Sequence, residues 1–391
     1  MLNPGNRSWI LVAILSAVAY PLYHLIGLAA LNKVIPSIGY ESCVKVVGKL
    51  LKFTPDGLLS FCEDIVIGQG GVAYASCDPA REKRNKVLDY NYFDIGEYIP
   101  SGNIWQIDYA VTPPAAKMMK IVSRPQDFHP LGLAVDTKRN LIMVINLPFD
   151  SDTAAVEVFS IEDDRETLVH QRTIQHPNLY TPNALHILDN ADMEGSDGTP
   201  SFFFSNDHYF QTKLLKLIEN TAILPISNVM FYDARIQQAS SVVNGLAFAN
   251  GVSGDDSTLF VSECNKRQVH QFNMTLSPSS SPPVRLDFVQ KVPVGMAVDN
   301  LEYHQGVLVI AGHPKGLDFM HYAMAKDRSL PSVPRAASQV LVWHPSRDSP
   351  SVVFSDNGHY YAASSTGTLD VSRQKLLVAS LYDRGILVCD A

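Results

Sequence analysis

Charge is scarce in this sequence: only 18% of its 391 residues are Asp, Glu, Lys or Arg, and the two signs are interspersed to a formal net charge of −8. Such a chain builds no broad basic surface of the kind nucleic acid requires, so nucleic-acid binding is set aside. Cysteine is scarce too. Five residues (Cys43, Cys62, Cys77, Cys264 and Cys389) are too few for a disulfide-built scaffold and do not fall in metal-site spacing. There is no G-x-S-x-G elbow, no H-E-x-x-H and no P-loop. No long biased tract suggests disorder, and beyond residue 43 no long amphipathic helix dominates. The GQGG run from Gly68 to Gly71 reads as a turn between strands, because no helix follows to receive a phosphate. What is plentiful is apolar residues, 46% of the total, enough for one large domain or two ordinary ones.

The stretch from Trp9 to Asn32 is apolar for about the length a bilayer-spanning helix needs, broken by Pro21 and His24. Two readings stay open. Ala17-Val18-Ala19 offers a small-x-small cleavage site for a secretory signal, and reading on to Ala30 gives an uncleaved anchor. Residues 1–32 are therefore expected to be a signal peptide or membrane anchor. Residues 43–391 would then enter the secretory pathway, secreted or anchored outside the cytoplasm, with membrane or lipid association through the amino terminus. Arg7 favours that orientation and Lys33 opposes it. Asn273-Met274-Thr275 is a glycosylation sequon consistent with this route, and Asn6-Arg7-Ser8 is another, close to the apolar segment. Cys43 begins the mature domain and Cys389 is two residues from the end, so a bond between them would join the first strand to the last. Cys62 and Cys77 flank EDIVIGQGGVAYAS and form a candidate second pair, which leaves Cys264 as a buried small hydrophobe.

Beyond residue 43 the apolar residues come in short runs of four to eight, rich in Val, Ile, Leu and Phe and bounded by Gly, Pro, Asn and Asp, which is an all-β pattern. One unit recurs: a short apolar strand, a turn, then a second strand ending in small or polar residues. Its six copies begin at Glu63, Leu131, Asn183, Asn250, Asp299 and Thr366, with spacings of 68, 52, 67, 49 and 67. These exceed the usual propeller blade of about 40 to 50 residues, the excess falling in loops. A solenoid is the rival architecture. The possible bond between the chain ends and the absence of polar capping repeats favour a closed ring, a six-bladed β-propeller behind an apolar amino-terminal helix. In such a ring the same position of each repeat lies at the same height around the channel. The first positions supply Glu63, Asn183, Asn250 and Asp299 (followed by Asn300), carboxylates and amides without a thiolate. That donor set suits a hard cation such as calcium better than zinc. The plain alternative is that Asn and Asp favour turns before strands.

The segments CEDI (62–65), VEVF (156–159), TIQHPNL (173–179), SNDHYF (205–210), AFANGV (247–252), VDN (298–300), GHPKG (312–316) and LVCD (387–390) resemble, in the same order, those of the serum paraoxonase family. The resemblance runs from about Cys43 to the end. It implies a six-bladed propeller with two calcium ions in its channel and hydrolysis of lactones, aryl esters and sometimes organophosphates. The family's catalytic calcium ligands carry over to Glu63, Asn183, Asn250, Asp299 and Asn300, and its disulfide to Cys43 and Cys389. Calcium would act as a Lewis acid on a carbonyl or phosphoryl oxygen.

The sequence departs from the family at three places. Leu131 and Leu147 stand where a histidine pair is expected, and Ala184 replaces an aspartate of the structural calcium site, which keeps Asp64 and the Leu133 carbonyl. Replacement bases are His129, His313 and His208, while Phe248 and Tyr382 fall at pocket-wall positions. The expected function is calcium-dependent hydrolysis of a small-molecule ester or lactone. Its rivals are a related propeller enzyme of different reaction type and a non-catalytic, calcium-stabilised binding propeller that has lost the histidine pair.

Overall fold

A computed structural model of the chain describes residues 4–29, 33–48, 58–345, 347 and 349–391. The side chains of residues 1–14 and 17, and with them the Asn6 sequon and the first residue of the expected cleavage site, lie outside the described residues.

Each repeat seen in the sequence folds as an antiparallel strand pair. The pairs are Ser60–Ile67 with Val72–Cys77, Pro130–Asp136 with Leu141–Asn146, and Pro182–Ile187 with Phe202–Asn206. The remaining three are Ala249–Gly254 with Thr258–Glu263, Ala297–His304 with Val307–His313, and Ser364–Asp370 with Lys375–Arg384. Turn chemistry fixes the pairing where it is tightest. His304 pairs with Val307 across Gln305 and Gly306, whose φ of 51° and 79° match the twist of a two-residue hairpin.

Further strands extend these pairs into sheets. Three sheets have four strands and a fourth has five. An eight-stranded sheet contains the first and last strands: Cys43–Val46 pairs with Ile386–Asp390, and the Cys43–Cys389 disulfide is formed there. Cys62–Cys77 is bonded as well. The first strands of the repeats lie side by side in chain order, and the last packs beside the first. The arrangement is therefore all-β and propeller-like.

Because each sheet is sandwiched between two others, both of its faces are apolar. Phe202-Phe203-Phe204 shows the alternation: Phe203 packs with Val252, Leu259 and Val261 of the following sheet, whereas Phe202 and Phe204 pack with Met143 and Val158 of the preceding one. Each phenylalanine buried this way contributes about 2–3 kcal/mol. Among the described residues three α-helices stand outside the sheets: α1 (Pro4–Ala29), α2 (Lys213–Thr221) and α3 (Gly316–Met324). Among the described residues no helix is long and apolar enough to cross a membrane. Asn273 and Thr275 are exposed on the strand Gln268–Leu276.

Candidate metal centre and its cavity

The side chains at the ring axis are aimed there by a repeated irregularity. In five of the six strand pairs the register slips at the first position of the repeat, and in the sixth it slips one residue earlier, at Ser365. Glu63 falls between the paired Cys62 and Asp64, Asn183 between Pro182 and Leu185, and Asn250 between Ala249 and Val252. Asp299 and Asn300 lie together between Val298 and Leu301. A β-bulge bends the strand and re-aims the side chain of the extra residue, here toward the axis. Neighbouring backbones approach closely at this point: a Cβ on Gly251 would lie 2.5 Å from the Leu301 nitrogen and 2.8 Å from the Asn300 Cα.

All five expected donors are buried, and four of them leave an oxygen without a hydrogen bond: Glu63 Oε2, Asn183 Oδ1, Asn250 Oδ1 and Asn300 Oδ1. The amide orientations follow from their nitrogens. Asn300 Nδ2 donates to Glu63 Oε1 at 2.7 Å, Asn250 Nδ2 to Asp299 Oδ1 at 2.8 Å, and Asn183 Nδ2 to Asp207 Oδ2 at 3.2 Å. With each nitrogen committed, each oxygen is left as an acceptor for something else. Buried acceptors are rarely left unpaired, because the lost hydration is not recovered. Burial, then the neighbouring Asp64 and Asp299, push the Glu63 carboxyl well above the usual carboxylate range, with Arg81 pulling the other way. A divalent cation among these groups would reverse that push. Among the described residues no three His, Cys, Asp or Glu side chains are grouped to hold a metal. A cation here therefore leans on amide oxygens, which fits calcium.

The expected second site does not fit. Asp64 accepts the Ile65 N–H at 2.9 Å through Oδ1 and the Leu133 N–H at 2.8 Å through Oδ2. What Leu133 offers Asp64 is thus an amide donor, and Ala184 adds a methyl group where a carboxylate would be needed. Burial raises the Asp64 pKa to about 6, the Leu133 amide opposing it.

Above the donor cluster lies a cavity of about 270 Å³. Glu63, Asn183, Asn250, Asp299 and His313 line its polar end, and Leu28 of α1, Leu217 of α2 and Phe319 of α3 belong to its apolar wall. The three expected bases end up in different places. His313 lines the cavity, stacked on Phe319 with ring centroids 3.6 Å apart. Its Nε2 is 3.0 Å from Asp299 Oδ2, and its Nδ1 is buried without a partner. His208 does not line the cavity. Its Nδ1 is 2.6 Å from Asp207 Oδ1 and its Nε2 takes the Asn220 amide at 2.9 Å, so it braces the wall behind Phe248. His129 precedes its strand instead of lying on it, and its ring sits between Asp78 (3.2 Å) and Asp127 (3.3 Å). Burial alone would lower its pKa, but the two aspartates outweigh burial and raise it to about 9. A histidine held protonated at neutral pH is a poor base.

Of the expected wall residues Phe248 lines the cavity, with Leu131 nearby. Tyr382 lies behind the wall, its hydroxyl bonded to Asn85 at 2.7 Å, and Leu381 takes its place at the surface. Cys264 is a free thiol that also lines the cavity and is only partly buried. Sequence reasoning passed over the serines that hold the donors. Ser205 Oγ donates to the Asn250 carbonyl at 2.6 Å and Ser262 Oγ to that of Asp299 at 2.8 Å, each bracing the next repeat. The signal was present in the small or polar residue that ends each second strand.

The arylesterase family model matches residues 93–391. Mouse serum paraoxonase/arylesterase 1 is 26% identical over 348 residues, covering 85% of this chain and 87% of that protein. Human serum paraoxonase/arylesterase 2 is 26% identical over 344 residues, covering 84% and 86%. Rat serum paraoxonase/arylesterase 2 is 26% identical over 268 residues, covering 66% and 68%. With most of its length matched, from ahead of the second repeat to the last residue, this chain belongs to the arylesterase family.

Proposed function

We propose that this chain is a calcium-dependent hydrolase of lactones or aryl esters. The observation that carries the reading is the set of unpaired oxygens on Glu63, Asn183, Asn250 and Asn300, the first three of them lining, with Asp299, one end of a mostly apolar cavity. Reading the eight-stranded sheet as two four-stranded blades, joined where Ser60 and Cys62 meet Arg384 and Ser380, gives a six-bladed propeller. Residues 43–391 would form that propeller and residues 1–32 a signal or anchor. Two disulfides support folding in the secretory pathway, with Asn273 available for glycosylation.

Calcium held by these five residues would polarise the ester carbonyl and offset the negative charge that develops on its oxygen. The protein's own groups do the rest. The Asp299 carboxylate fixes the His313 proton on Nε2, leaving the Nδ1 lone pair free to take a proton from an attacking water. Phe319 keeps the ring in place, and the apolar wall excludes bulk water and receives the leaving group.

A second reading is favoured by Leu131, an apolar side chain at the cavity where the family resemblance calls for a histidine. In it the propeller binds calcium and a ligand without turnover. Assays of the purified full chain with phenyl acetate and a small panel of lactones, with and without a chelator, separate the two. Chelator-sensitive hydrolysis supports the enzyme; tight calcium binding with no turnover of any ester supports the binding protein.

A further inference from the structure

One charge in the cavity has no part in the hydrolytic reading. Arg81 lies in the short 3-10 turn Pro79–Glu82 that follows the strand Val72–Cys77, and it is only 4% exposed. Asp78 caps this turn by accepting the Ala80 N–H at 3.0 Å, which sets where Arg81 points. Arg81 lines the same cavity as Glu63 and Asp299. Its Nη2 donates to the Pro130 carbonyl at 2.8 Å, and its Nε is buried with no partner. Glu63 and Asp78 feel its charge through space, but their hydrogen bonds go to Asn300, Ala80 and His129.

Other arginines of this protein are better satisfied. Arg139, Arg235 and Arg373 each contact an aspartate, and Arg84 and Arg328, which contact no carboxylate, donate two and three hydrogen bonds where Arg81 donates one. A buried guanidinium with a single hydrogen bond and no carboxylate in contact is unfavourable unless something entering the site supplies the missing acceptors. Its planar fork matches a carboxylate, which accepts two parallel hydrogen bonds. Most of the remaining wall is apolar, including Leu28, Leu88, Phe248 and Phe319, with Asn85, Asn220, Thr221 and Asn265 as its neutral polar members.

We propose that Arg81 makes this cavity an anion subsite, selecting esters or lactones that carry a carboxylate on a short apolar body. The proposal rests on the hydrolase reading for its substrates, but the anion site itself stands on the geometry of Arg81. Two measurements on the purified full chain keep the two ideas apart. The first compares kcat/KM for phenyl acetate with that for monophenyl succinate, its singly charged counterpart, in wild type, Arg81→Gln and Arg81→Lys. The charged ester is expected to be preferred at least tenfold by wild type, the preference falling at least tenfold in Arg81→Gln through KM and returning in part with Arg81→Lys. An unchanged ratio of the two esters in Arg81→Gln overturns the proposal.

The second measurement is calorimetric binding of decanoate, which needs no turnover. At least tenfold weaker binding in Arg81→Gln, with Arg81→Lys intermediate, supports the anion site even where no ester is hydrolysed; in that case the hydrolase reading alone fails. Equal binding by all three proteins overturns the anion site while leaving any esterase activity in place. Should Arg81→Gln not fold, competition decides on the wild type: decanoate failing to compete with monophenyl succinate overturns the proposal.

Discussion

Replacing His129 with Gln removes a buried cation from between Asp78 and Asp127 and changes how stability depends on pH. The ring is 4% exposed, so solvent screens the interaction little. Its pKa is raised from an ordinary 6.5 to about 9 in the folded protein. That difference is worth about 3 kcal/mol of folding stability. The sign follows from the direction of the shift. The folded state holds the proton more tightly than the unfolded one, so the contribution is complete below about pH 6.5 and is lost as pH rises through about 9. Urea unfolding of wild type and His129→Gln at half-unit steps from pH 6 to pH 10 measures it. The stability gap between the two proteins should narrow by about 3 kcal/mol across that range. A gap that stays constant with pH, or widens, would refute the ion-paired reading of His129.

Three further outcomes are expected. His313→Gln should lower kcat by about 100-fold or more while calcium binding is retained, as measured by steady-state kinetics beside calorimetry, because it removes the free Nδ1 lone pair and leaves the oxygen donors in place. Gly251→Ala should lower the melting temperature and weaken calcium binding together, since its Cβ meets the backbone of Asn300 and Leu301, which cannot swing aside. Cys43→Ser with Cys389→Ser should lower unfolding stability by about 6 kcal/mol, the chain-entropy value for a bond that closes a loop spanning 346 residues; denaturant titration that shows no loss would contradict the closure argument.

The repeats were legible because each begins with an apolar strand and a turn, and the same position in every copy reaches the same point of the ring. Glu63, Asn183, Asn250, Asp299 and Asn300 could be gathered on paper for that reason, and so could the disulfide between the chain ends. The bulges that aim them were not legible, since a register slip leaves no mark on a pattern of alternating residues. His129 misled because it sits two residues before Leu131, an extended spacing, yet the strand starts only at Pro130 and the ring turns back to Asp78, 51 residues earlier. Arg81 was overlooked for the opposite reason. It falls in a loop among other charged residues, and only the fold shows that its guanidinium is buried at the cavity while Lys83 beside it is paired with Glu97 at the surface.

Calorimetric titration of calcium into wild type and Asn250→Leu tests the central claim most directly. Leu keeps the approximate volume of Asn250 and removes the unpaired oxygen. One ion per chain in wild type, with affinity reduced at least tenfold in the variant, is the predicted result. Two equivalent ions, or an Asn250→Leu protein that binds calcium as tightly as wild type, would contradict the account.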